Sequence, residues 1–163
     1  MKRILKAALM GGLMLLCYSA AAVDLGQKLN QFSLEDQFGQ AHLVDISSAT
    51  LLFTDSRSAG EVVSAVMQQL PLVEQQRLTY VIDISEMPSM ITRFFALPKM
   101  KKMPFIMLLD RDGDVTSSFP RREDQVTLMC ISNGKLSDLQ FYQQQQQLQQ
   151  ALLQPQCERL AAN

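Results

Sequence analysis

LLFTDSRSAGEVVSAVMQQL, residues Leu51–Leu70, changes its hydrophobic period partway along. Ala49 to Thr54 is an apolar run of strand length, the pattern of a central strand buried on both faces. Past the polar Asp55–Ser58, the residues Val62, Val63, Val66, Met67 and Leu70 recur at helical spacing, and Pro71 closes the segment. Ser58-Ala59-Gly60-Glu61 at the junction has the Ser-x-x-Glu form of a capping box. Ser58 is expected to accept from the Glu61 N–H while the Glu61 carboxylate reaches back to the Ser58 N–H, a cap worth about 1 kcal/mol.

Short elements flank this unit. Gln31–Leu34 and His42–Val44 read as strands around the turn Asp36–Gln40, and Leu78–Ile84 as the strand after the helix. Pro88–Leu97 is expected to be a helix with Met90, Ile91, Phe94 and Phe95 inward, stopped by Pro98. Two hairpins are expected next. One pairs Phe105–Leu109 with Val115–Phe119 around an Asp-Gly turn, the other Val126–Ile131 with Lys135–Phe141 around Asn133-Gly134. A glutamine-rich helix over 142–153, with Leu148, Leu152 and Leu153 on one stripe, closes the chain as a surface helix. The order β-β-β-α-β-α-ββ-ββ-α describes one α/β domain, as 163 residues allow.

The first residues read differently. Lys2, Arg3 and Lys6 precede the apolar run Ala7–Cys17 and the small residues Ala20–Ala22, the layout of a secretory leader cleaved after Ala22. The run is shorter than the ~20 residues of a spanning helix, and Leu16 before Cys17 disfavours lipidation. Residues 23–163 are then an exported, periplasmic domain with no retained membrane anchor and a formal charge of −4, which argues against nucleic acid. Cys130 and Cys157 remain as its two thiols, paired if they can reach one another and otherwise two buried free thiols.

Three stretches carry a family likeness. "LGQKLNQFSLEDQFGQAHLVDI", "PFIMLLDRDGDVTSSF" and "VTLMCISNGKLSDL" resemble, in order and spacing, the opening segment, penultimate strand and final hairpin of the redoxin and peroxiredoxin branch of the thioredoxin-like superfamily. The layout is also similar to periplasmic proteins of the YtfJ type. The resemblance implies a three-layer α/β/α sandwich with a mixed central sheet. It places the first redox cysteine at Ser58, its C-x-x-C partner at Glu61 and the proline facing the active site at about Gln125, so both thiols and that proline are missing; Asn30 stands where proline is frequent. It also implies a polypeptide-binding face made here of Asp55, Ser56, Arg57 and Ser58 beside Arg121, Arg122 and Gln125.

Other chemistry is weakly signalled. A serine becomes a nucleophile with a base beside it, and the single histidine, His42, lies on an expected strand near the N-terminus. Asp110, Asp112 and Asp114 do not meet the EF-hand order, because Gly113 precedes the third acid. Met87/Met90 and Met100/Met103 are M-x-x-M pairs that suit Cu(I), although methionine is also ordinary core packing. The expectation is therefore an exported, non-catalytic interaction module without a cofactor, serving an unnamed periplasmic protein partner. An atypical thiol–disulfide or peroxide enzyme and a Cu(I)-binding protein are the alternatives.

Overall fold

The computed structural model describes residues 24–154 and Cys157; the expected leader over 1–22 lies outside them. Seven strands form one sheet: β1 (Phe32–Asp36), β2 (Ala41–Val44), β3 (Ser48–Thr54), β4 (Leu78–Asp83), β5 (Leu108–Asp110), β6 (Val126–Ser132) and β7 (Lys135–Tyr142). Their spatial order is β2-β1-β5-β4-β3-β6-β7. β3, β4 and β5 run parallel, and every other pairing is antiparallel. This is the mixed sheet with flanking helices that the resemblance implied.

The pleat sorts the core onto two faces. Leu52, Tyr80, Leu109 and Leu128 point to one side, where α1 (Arg57–Met67) contributes Ala59, Val63, Val66 and Met67, and α5 (Gln145–Leu153) contributes Leu148 and Ala151. Leu51, Phe53, Val81 and Met129 point to the other. That second face is covered by a thinner layer: Leu29 and Leu34 from the N-terminal side, and Val115 and Phe119 around a 3₁₀ turn at Thr116–Ser118.

Several local expectations change. No strand forms over 115–119. The buried Asp110 carboxylate accepts from the N–H groups of Gly113, Val115 and Thr116, at 3.0, 3.0 and 2.8 Å, which winds the chain into a turn instead. β5 then pairs with β4 and β1 rather than with a hairpin partner.

A single turn, α2 (Leu72–Gln75), leads from α1 into β4, and the segment after β4 is also different. It runs as α3 (Ser89–Ile91), a π turn (Thr92–Ala96) and α4 (Leu97–Met100). The Leu97 N–H bonds the Thr92 carbonyl, and this wider turn carries the helix into Pro98, which opens α4 instead of stopping the segment. Met90, Ile91, Phe94 and Phe95 are exposed, at 65, 46, 56 and 69%. Met87, Leu97, Met100 and Met103 hold the inward side with the buried Thr92. Apolar residues stand on every side of this segment, so its periodicity does not choose a face.

α5 begins at Gln145, because Tyr142 belongs to β7. The apolar stripe docks α5 on the core through the fully buried Leu148, while Leu153, read on the same stripe, is exposed. The Asn133-Gly134 hairpin forms as read, with both residues at positive φ (52° and 72°), the conformation a two-residue turn requires.

Candidate functional site

The junction after β3 lies at the carboxyl ends of the parallel strands. α1 begins two residues earlier than a Ser58 cap would place it: Ser56 is the N-cap, its Oγ accepting from the Ala59 N–H at 3.3 Å. Ser58 sits inside the first turn, 3.1 Å from the Ser56 hydroxyl, and donates to the Asp124 carboxylate. Glu61 does not fold back to Ser58. It accepts from Arg57 Nε at 2.9 Å on the exposed helix surface, and this bond holds its carboxyl below the usual range. The extended backbone of Ser56 (φ −125°, ψ 157°) fixes where the helix begins and so overrides the Ser-x-x-Glu pattern.

Behind this row lies a charged layer. Arg121 reaches the Asp55 carboxylate at 3.5 Å and Asp83 at 3.6 Å, donates to the Thr116 carbonyl at 2.5 Å, and stacks 5.2 Å above the Phe53 ring. Burial pushes the Asp55 pKa up, and the Arg121 charge offsets this only in part. At Asp83 burial also acts upward, but hydrogen bonds from the Ser85 hydroxyl and N–H and the Thr116 hydroxyl, with Arg121, outweigh it and hold the group below its ordinary value. Thr54 Oγ1 lies 3.0 Å from the Tyr80 hydroxyl, and burial pushes that phenol up.

The residues read from sequence are thus partly gathered. Asp55, Ser56, Arg57, Ser58 and Arg121 share the junction. Arg122 turns away and lies 4.3 Å over the Phe141 ring of β7. Gln125, half-buried, donates its N–H to the Arg122 carbonyl, and the residue that reaches Ser58 is its neighbour Asp124, at φ 55°. The family pattern points to Gln125 and not to Asp124, whose signal in the sequence is the acidic pair Glu123-Asp124 just before β6.

His42 lies on β2, four strands from β3, or roughly 19 Å at the usual interstrand spacing. Its Nε2 bonds the buried Asp36 carboxylate at 2.8 Å, and that carboxyl lies below its usual range: burial acts upward, but hydrogen bonds from the Gln40 and Phe38 N–H groups and from His42 outweigh it. Ser58 therefore has a carboxylate beside it but no imidazole.

Cys130 and Cys157 are bonded to each other, with Cα atoms 5.2 Å apart. Cys130 pairs with Thr50, about 13 Å along β3 from Thr54, so the disulfide stands at the far end of the sheet from Ser58. A cleft of about 930 Å³ lies at that same far end, bordered by Thr50, Leu78, Ile106 and Cys157. In the first methionine pair Met87 packs on the core and Met90 is exposed, while Met100 and Met103 of the second both pack on the core. Among the described residues no three His, Cys, Asp or Glu side chains are grouped to hold a metal ion.

No protein-family model and no curated protein matches the chain. Solved structures do match it. The peroxidoxin BcpB of Mycobacterium tuberculosis is 15% identical, with a TM-score of 0.53, and the match covers 80% of this chain and 95% of that one. A Chlorobium tepidum protein described as a thiol:disulfide interchange protein, DsbE, is 17% identical, with a TM-score of 0.58 and coverage of 87% and 100%. A thio-disulfide isomerase of Thermus thermophilus is 26% identical, with a TM-score of 0.51 and coverage of 80% and 96%. The fold is thioredoxin-like.

Proposed function

We propose that this chain is an exported, non-catalytic thioredoxin-fold module that binds a polypeptide partner in the periplasm through the face around Ser58. One observation carries this reading. The junction where the related folds place a reactive thiol holds Ser58 and Glu61, and both side chains already have partners, Asp124 and Arg57. A serine hydroxyl at a helix N-terminus gains little from the helix field, because it has no anionic form near neutral pH comparable to a thiolate. Asp55, Ser56, Arg57 and Ser58 leave a polar face that can hydrogen-bond an extended chain.

The test combines capture and assay with the full chain. A periplasmic extract is passed over the wild type and over the R57E variant, since Arg57 lies on this face and Arg122 does not, and insulin reduction and peroxide consumption are measured on both. Loss of the captured proteins in the variant, with no turnover in either assay, is the expected result. Equal recovery from both removes this face from consideration. Turnover abolished by C130S would replace the module reading with a thiol–disulfide or peroxide enzyme working from Cys130 and Cys157.

A further inference from the structure

The segment from Met87 to Leu109 differs in charge from the rest of the described chain. It holds Arg93, Lys99, Lys101 and Lys102 and no Asp or Glu, whereas the other described residues hold seven Lys or Arg against fifteen Asp or Glu. The same segment carries the exposed apolar side chains Met90, Ile91, Phe94 and Phe95. Their spacing, i, i+1, i+4 and i+5, gathers them on one outward stripe of the helical run Ser89–Met100. Lys99, Lys101 and Lys102 are exposed at its carboxyl end, and the Arg93 guanidinium lies 5.6 Å over the Phe94 ring.

We infer that this stripe is a docking surface for an anionic phospholipid bilayer. The apolar side chains would enter the boundary between headgroups and acyl chains, and the four cations would meet the lipid phosphates. Contiguous exposed apolar surface marks a contact with something, and charge selects which. A two-fold pairing of copies would set this basic patch against itself. The chain's own first residues carry Lys2, Arg3 and Lys6, so they too are repelled. The short outward stripe has its cations beside and beyond the apolar residues, as an interfacial helix does. This is adsorption at a surface, since no described helix is long and apolar enough to cross a membrane.

The test uses the full chain, so any contribution of residues 1–23 is common to every variant. The chain contains no tryptophan, and F95W therefore introduces its single indole. On phosphatidylcholine vesicles containing phosphatidylglycerol, the F95W indole is expected to shift to the blue and to be quenched by brominated acyl chains; pure phosphatidylcholine should do this far less. Each cation near an anionic surface is worth roughly fivefold in partitioning, so K101E/K102E is expected to weaken sedimentation with anionic vesicles by at least tenfold. F94S/F95S should reduce it comparably, with an unchanged melting transition, because both side chains are exposed. Unchanged F95W emission on anionic vesicles, or variants that sediment like the wild type, would overturn the inference. An equal spectral shift with soluble polyglutamate would assign the patch to an acidic protein instead, and a shift arising from dimerisation without lipid would assign it to a second copy.

Discussion

At the scale of single residues, the junction separates two serines that the sequence makes look interchangeable. Ser56 satisfies an otherwise unpaired helix N–H, so S56A is expected to cost about 1 kcal/mol in chemical denaturation. The Ser58 bond to Asp124 is exposed, so S58A should cost about 0.5 kcal/mol or less. The reverse order would restore the Ser58 cap. The two carboxylates around Arg121 should also behave oppositely. Asp83 has a lowered folded pKa, so its contribution is present above the ordinary carboxylate range near pH 4 and fades as pH falls below it. Asp55 has a raised folded pKa, so it disfavours the fold once ionised. D83N is therefore expected to lose about 1–3 kcal/mol at neutral pH and to flatten the acid limb of a melting-temperature profile. D55N should be neutral or stabilising at neutral pH. A destabilising D55N would show that the Arg121 contact outweighs burial.

At the scale of elements, α5 is the decisive case. Its glutamine-rich sequence has a weak apolar stripe, yet Leu148 is fully buried against α1 and the sheet. L148A is expected to cost about 2–5 kcal/mol, as a buried leucine truncation does. Replacing the exposed Leu153 by Gln should leave stability within about 0.5 kcal/mol. A helix detached from the core would show neither the large loss nor the contrast. The segment over residues 89–100 teaches the complementary lesson. Its inward and outward sides are both apolar, so hydrophobic period alone gives no preference, and contacts of Met87, Leu97, Met100 and Met103 with the core set the rotation.

At the scale of the whole molecule, the two faces of the sheet are unequally covered, and the C-terminal region is tied down at one point. The Cys130–Cys157 bond links residues 27 apart and fastens the chain beyond α5 to β6, the strand beside the sheet edge. By the loop-closure account its loss costs about 3 kcal/mol. A reductant should therefore lower the melting temperature of the wild type but leave C130S/C157S unchanged. Equal behaviour of the two would mean that the bond contributes nothing to the folded chain. The bond from the half-exposed His42 to the buried Asp36 in the β1–β2 hairpin is a second tie, read from sequence only as a turn acid and a stray histidine.

The sequence alone carries the buried central strand, the switch from strand to helix beside Ser58 and the Asn133-Gly134 turn, but not the full element order, since residues 115–119 read as a strand and are wound into a turn by Asp110. The sequence also determined that no cysteine occupies position 58 or 61. These are signals between near neighbours, written in side-chain period and turn chemistry, and they survive whatever the rest of the chain does. The tertiary structure alone decided that Asp124 meets Ser58 and that Arg121 lies between Asp55 and Asp83. The first pairing and the Arg121–Asp55 contact each span 66 residues. Only the tertiary structure, too, turned Phe94 and Phe95 outward and brought Cys157 to Cys130. Contacts at such separations depend on which strands lie side by side and how each helix is rotated, and packing of the whole core sets both.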